Sequence, residues 1–500
     1  MLQHVRIADA RDHKGNDVLN RLAFHLQTAH LRTSNGQTAG HGQTASHGQT
    51  AGSSKQIRLA LLRMVLGALG LLVGLATTLP AQANMIRDTE IEAGVDELIA
   101  PLINVAGFAP EAIDVRIILD NRVNAFVQSK RTIYVHSGLI ESAEDPLLFL
   151  GVMAHELAHL KAGHVQQIDE ALGQAGTAAA LATIAAVAIA AGGHGDAAAG
   201  VLVGGTDRAN RNILSSVRRN EAIADELGLA FLDDAGISAA GLRDMMARMA
   251  RQRALPESRQ SQYYSTHPGT AQRLQTYQDH VNSSPHSDTK PSAELAEKFR
   301  RIKAKLYAWT ERPQTVLNSN GEGLDPDLQT YAHAIAAFRR GDLNGALERI
   351  DSLIETQPQD PFFHEFRGDI LMSMAQPSAA AAAYETAISL RPNSPQIELL
   401  LGRALIATGD RTRLPRAIEV ISNARTGEPK WAFLHRQLGI AYGRAGQINH
   451  ADLSLADEAI LRGDTIRAVQ LAKRTLGRGD LTDALRNRAN DIIYRYEPKN

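Results

Sequence analysis

Two histidines and a glutamate in Val152-Met153-Ala154-His155-Glu156-Leu157-Ala158-His159-Leu160 carry the first chemical signal in the chain. On a helix of 3.6 residues per turn, positions i and i+4 fall about 40° apart around the axis. His155 and His159 therefore project from one face and can bind one metal ion. Glu156 sits beside them, where its carboxylate can take a proton from a water at that metal, the general-base step of zinc-dependent peptide hydrolysis. His164 is turned roughly 180° from His155 on a continuous helix, so it cannot join the pair without a break. A three-histidine HExxHxxGxxH site would need histidine at Val165, and that class is excluded.

Catalytic zinc takes three protein ligands and leaves one position open. The segment Arg219-Asn220-Glu221-Ala222-Ile223-Ala224-Asp225 offers two acids at i and i+4, again on one helical face. Glu221 is the candidate third ligand. Asp225 is placed to accept the N–H of a ligand imidazole and fix its tautomer. Further on, Ser265-Thr266-His267-Pro268, with Arg273 and Leu274, lies in a loop that leads into a helix. His267 has three readings: a donor to the oxyanion of the tetrahedral intermediate, a reversible plug in the open metal position, or an ordinary loop histidine.

These groups need elements to hold them. Leu147 to Gln167 reads as the metal helix. Ahead of it, Ile91, Val95, Leu98, Ile99 and Leu102 mark one side of a helix between Asn84 and Pro110. Val115 to Leu119 and Thr132 to Val135 read as strands flanking Asn124-Ala125-Phe126. The small sheet they imply is either purely structural or offers an edge to an extended peptide.

The chain has 500 residues, too long for one ordinary core, and its net charge of -1 carries no extended basic block. That removes the electrostatic footprint of a nucleic-acid binder. With no cysteine at all, disulfides, thiolate metal sites and a cysteine nucleophile are excluded. Any zinc must use histidine and carboxylate.

Residues 1–54 contain a six-residue repeat, Gly36-Gln37-Thr38-Ala39-Gly40-His41 and its copies, with no large apolar side chains. This is a disordered low-complexity leader or an over-long gene start rather than a His41 and His47 metal trap. At 55–83 the basic residues Lys55, Arg58 and Arg63 precede an apolar run to Leu79 and then Pro80-Ala81-Gln82-Ala83. The pattern reads as a signal peptide cleaved before Asn84, with an uncleaved anchor as the alternative. The Ala-rich stretch 171–191, with the weaker 197–204, has three readings: a buried hairpin, a flap touching a membrane surface, or a span.

The motifs HELAH, NEAIAD and THPGTAQRL, preceded by VNAF and YVHSGLI, resemble the M48 family of zinc metallopeptidases over roughly residues 86 to 280. The resemblance implies a gluzincin-type α+β endopeptidase, mainly helical with a small sheet. It also implies one zinc on His155, His159 and Glu221, with Glu156 as base. Family members commonly have glycine where Ala158 stands, a departure that leaves the ligands untouched.

After a basic helical connector from Ala293 to Trp309 and a turn-rich linker to Asp327, a 34-residue period follows. Ala334, Gly341, Ala346 and Pro358 recur as Gly368, Ala380 and Pro392, then as Gly402, Ala417 and Pro429 after a three-residue insertion, then as Gly439, Tyr442, Gly446 and Ala451. These are tetratricopeptide units, which stack into an all-α solenoid with a concave face. The expected layout is a leader at 1–54, a signal peptide at 55–83, a zinc protease domain at 84–290, a connector at 291–326 and repeats at 327–495.

Together these features resemble the periplasmic, assembly-enhancing branch of the same family. That resemblance implies substrates that are misfolded or stalled envelope proteins, and partners in outer-membrane protein assembly. The rival expectation is a chaperone or scaffold whose repeats do the work over a latent metal site.

Overall fold

The computed structural model describes residues 6–7, 85–164, 217–252, 263, 267, 270–319, 325–479 and 481–498. The leader, the export signal and the apolar stretches at 171–204 fall outside the described residues.

Asp88 starts the first helix, α1 (Thr89–Val105), by accepting the N–H groups of Glu90 and Ile91. Ile91, Val95, Leu98, Ile99 and Leu102 are all buried, as their helical spacing predicts. Three strands follow: β1 (Asp114–Ile118), β2 (Ala125–Val127) and β3 (Thr132–His136). β3 is central, parallel to β1 with Val115 opposite Ile133, and antiparallel to β2 with Phe126 opposite Tyr134. Asn124-Ala125-Phe126, expected only to be flanked by strands, thus contributes an edge strand itself. The short α2 (Ser137–Ser142) leads to the metal helix, α3 (Pro146–Lys161).

α3 is capped by Asp145, which accepts the Leu147 N–H, and has proline in its first turn. Every residue from Leu148 to His159 is buried, so this helix runs through the middle of the domain rather than over its surface. It ends at Lys161, short of the expected Gln167. Gly163 adopts φ 68°, a left-handed conformation that ends the helix and redirects the chain at His164.

Residues 217–234 form α4, which crosses α3 closely. A Cβ at Gly228 would sit 3.3 Å from the backbone N and Cα of His155. The helices α5 (Ala240–Gln252) and α6 (Ala271–Ser283) close the domain around α3.

The basic connector is the helix α7 (Ala293–Thr310), and the linker after it contains a further short helix, α8 (Pro313–Asn318). α7 is no free spacer. It packs on α1, α2 and α3 on one side and on the first repeat helix, α9 (Pro326–Arg340), on the other. One of its basic residues is drawn fully inward: Lys305, 5% exposed, lies 2.8 Å from Asp88 and 2.9 Å from Glu90.

The repeats pair α9 with α10 (Leu343–Thr356), α11 (Pro361–Ser373) with α12 (Pro377–Leu390), and α13 (Pro395–Ala407) with α14 (Leu414–Gly427). They continue with α15 (Ala432–Arg444) and α16 (Ile448–Leu461), then α17 (Thr465–Gly477) and α18 (Asp483–Tyr496). Gly368 faces Tyr384 and Gly402 faces Ile421 where paired helices cross. The turn inside each of the first four pairs needs a residue with positive φ, supplied by Gly341, Gly409 and Gly446 and, in the second pair, by Ala375 at φ 57°.

The repeat domain also grips the start of the peptidase part. Arg87 pairs with Glu428 at 2.5 Å and stacks on Trp431, while the Thr89 hydroxyl donates to Glu365 at 2.8 Å. Part of the repeat surface is therefore covered by the chain's own residues 87–90.

Candidate metal centre

α3 brings His155 and His159 inward one turn apart, and the close approach of α4 brings Glu221 opposite them. His267 completes the group. Among the described residues these are the four whose ligand atoms converge on one point, all within 4.8 Å of one another and all buried.

His155 Nε2 is 3.1 Å from His159 Nε2, 3.3 Å from His267 Nδ1 and 3.5 Å from Glu221 Oε2. Glu221 Oε1 is 3.4 Å from His159 Nε2 and 3.1 Å from His267 Nδ1. Ligands held at about 2.0–2.1 Å from a central ion in a tetrahedron stand roughly 3.3–3.4 Å from each other. The spacings match those edges, and facing imidazole nitrogens have no reason to meet unless a proton or a cation lies between them. The donor set therefore fits a divalent metal.

Electrostatics tell the same story. Burial opposes a charge on His155, yet hydrogen bonds to Asp225 and Glu221 hold its pKa up at about 9. Burial drives His159 down to about 3, with the neighbouring His155 charge adding to the effect. Two adjacent buried imidazoles strongly resist both being positively charged. Glu221, although burial raises it, is held far below the usual carboxylate range by His267 and by hydrogen bonds from the imidazoles. The pocket is built to balance positive charge.

A second ring of contacts orients these donors. His155 Nδ1 lies 3.2 Å from Asp225 Oδ1. Arg273 donates from Nε and Nη2 to the two oxygens of Asp225, both at 2.7 Å, and its Nη1 is 2.8 Å from Glu221. The Tyr277 hydroxyl also donates to Asp225. On the other side His164 Nδ1 reaches His159 Nδ1 at 3.0 Å, because the chain turns at Gly163. The break that a shared role would need does exist, but it sets His164 behind His159 rather than in the converging group.

Glu156 is 1% exposed, and its Oε1 has no hydrogen-bond partner. Burial raises its pKa, partly offset by the imidazoles and a hydrogen bond from Tyr263. His267 Nε2 stands 3.5 Å from that oxygen, and the Tyr263 ring lies over His267 with centroids 4.6 Å apart.

All six residues singled out in the sequence, His155, Glu156, His159, Glu221, Asp225 and His267, meet here. Arg273, Tyr277, Tyr263 and His164 were given no role from sequence. A usable signal was present: Arg273 with Tyr277, and Tyr263 with His267, are i, i+4 pairs, the latter joined by a His267 N–H bond to Tyr263 O at 2.8 Å.

Residues 86–281 match the model of Peptidase family M48. Among curated relatives, the Metalloprotease LoiP of Escherichia coli is 31% identical over 35% of this chain and 64% of its own length. The Beta-barrel assembly-enhancing protease of Escherichia coli is 21% identical over 66% of this chain and 68% of its own. A Vibrio cholerae protein provisionally given the same name is 25% identical over 57% of this chain and 60% of its own. The chain thus spans about three fifths of the length of the first relatives it matches.

Proposed function

We propose that the chain is an exported zinc endopeptidase acting on misfolded or stalled envelope proteins, with its repeats recruiting substrate or an outer-membrane assembly complex. The observation that carries the reading is the set of donor spacings of 3.1–3.5 Å among His155, His159, Glu221 and His267. Relatives named as metalloproteases and as assembly-enhancing proteases support the activity and the partners. The export pattern at 55–83 supports a periplasmic location, and a mature terminus at Asn84 is the expected result of N-terminal sequencing.

His155, His159 and Glu221 would hold the metal. When bound, zinc supplies Lewis acidity to a carbonyl and to water. Glu156 accepts the proton of the attacking water and returns it to the departing amine. Its free, buried Oε1 suits a group that must change protonation state. Asp225 holds His155 in one tautomer, and Arg273 in turn holds both Asp225 and Glu221. The edge of β2 offers unpaired backbone groups beside the metal helix for an extended substrate.

With His267 in place the donor set counts four, the closed arrangement of a structural site, whereas catalysis needs one open position. His267 is therefore the plug, and cleavage requires it to swing away. The same closure favours a second reading, a chaperone or scaffold whose metal site is latent.

Casein cleavage and zinc content test the first reading. Glu156→Gln should retain about one zinc per chain and lose activity by about 10²–10⁴-fold, while His267→Ala should cleave faster than the parent. Retained cleavage in Glu156→Gln would remove the base assignment. If that variant complements a deletion strain as well as wild type, the chaperone reading wins.

A further inference from the structure

Helices α14, α15, α16 and α18 line a half-open cavity of about 520 Å³ that has no part in the metal centre. It lies where the ends of α14 and α16 meet the start of α15 and the second half of α18. Arg425, Arg488 and Arg495 face Asp457 and Asp491 across it. Arg488 pairs with Asp457. Arg425 and Arg495 make no ion pair or side-chain hydrogen bond among the described residues, so two cations face the cavity without partners.

A buried group in the same wall is also unsatisfied. His435 is 6% exposed, and its Nε2 meets the Pro429 carbonyl at 2.9 Å, which requires the proton on that nitrogen. Its Nδ1 has no hydrogen-bond partner, the nearest acid being Asp457 at 3.8 Å. A buried imidazole nitrogen without a partner invites a ligand. Ile460, Leu461, Ile492 and Tyr496 give the wall an apolar part.

We propose that this cavity binds the C-terminal carboxylate of a polypeptide whose last side chain is apolar. The carboxylate sits between Arg425 and Arg495, where charge-assisted hydrogen bonds are strongest. The terminal side chain fills the apolar wall, and Asp491 accepts a main-chain N–H of the incoming chain. The volume suits the last few residues of a peptide. Residues 87–90 already cover part of the repeat surface, Arg87 reaching Glu428 and Trp431 beside the Pro429 of the cavity wall. The inference deepens the reading of the repeats as the recruiting part, and it is tested by binding alone.

The experiment uses full-chain Glu156→Gln protein and an N-terminally fluorescein-labelled decapeptide ending in phenylalanine. The free acid should bind at least about tenfold more tightly than the C-terminal amide, and Arg425→Glu or Arg495→Glu should weaken it by about tenfold. Arg486→Glu, on α18 but outside the cavity, should bind like the parent, and thermal melting checks that all variants fold. Equal affinity for acid and amide, or unchanged binding in Arg495→Glu, overturns the proposal. Displacement by benzoate as effective as by unlabelled peptide would make this a small-anion pocket and overturn it as well. Failure here leaves the metalloprotease reading intact, and absence of zinc-dependent cleavage leaves the cavity intact.

Discussion

The metal centre and the junction of α1, α7 and the first repeats are both buried clusters of acids and cations, and they differ in how far their side chains satisfy one another. At the junction Glu90 takes Arg301, Lys305 and the Tyr331 hydroxyl, and Arg301 also reaches Asp360 at 2.5 Å. Donors meet acceptors there, Arg301 Nη2 excepted, as in a structural ion network. At the metal centre, nitrogen faces nitrogen at 3.1 Å, and Glu156 Oε1 has no hydrogen-bond donor, with His267 Nε2 3.5 Å away. Burial alone does not mark function. Like groups converging on a point do, because a shared proton or an added cation is needed to relieve them.

Three measurements can break or sharpen that contrast. Glu90→Ala leaves Lys305 and Arg301 buried with too few acids, so unfolding in urea should show a loss of about 3–5 kcal/mol. Zinc content should stay the same. A loss under about 1 kcal/mol would mean the junction is not the structural cluster described here.

Acid separates the two regions next. Burial would raise Glu90, but Arg301 and Lys305 pull it from 4.5 down to about 2. A depressed carboxylate stabilises the fold above its unfolded pKa, so this contribution, roughly 3 kcal/mol, fades as pH falls from about 4.5 towards 2. Glu156 shifts the other way, above 4.5 because of burial, and must be ionised to accept a proton. Cleavage should therefore fail at a higher pH than folding does, and coincident transitions would refute the separation.

The smallest effect belongs to Arg273→Met. It removes the brace on Asp225 and Glu221 and should weaken zinc binding by about 10–100-fold, read by competition with a chelating dye. Unchanged affinity would show that Arg273 serves the fold alone.

Much of this was legible in the residues. His155, Glu156 and His159 follow from helical spacing, and Glu221 with Asp225 from the same spacing plus the need for a third ligand. The 34-residue period located the repeats, although Ala375 hid one turn because alanine stood where glycine was expected. Gly163 was not read as the end of the metal helix, so the fold-back that brings His164 to His159 was missed. The connector was read only as basic and helical, and it is the packing that turns Lys305 into the core and Arg301 onto Glu90.

The sequence by itself determined which side chains share a face, because a helix repeats with a fixed period and needs nothing from distant residues. It could not decide the state of His267 or the partners of Arg273, Tyr277 and Arg87. Those depend on how separate elements approach: Gly228 letting α4 close on α3, and the repeats folding back over residues 87–90. Such contacts join positions from 48 to 341 residues apart, as with Arg273 and Asp225 or Arg87 and Glu428, and no local periodicity records them.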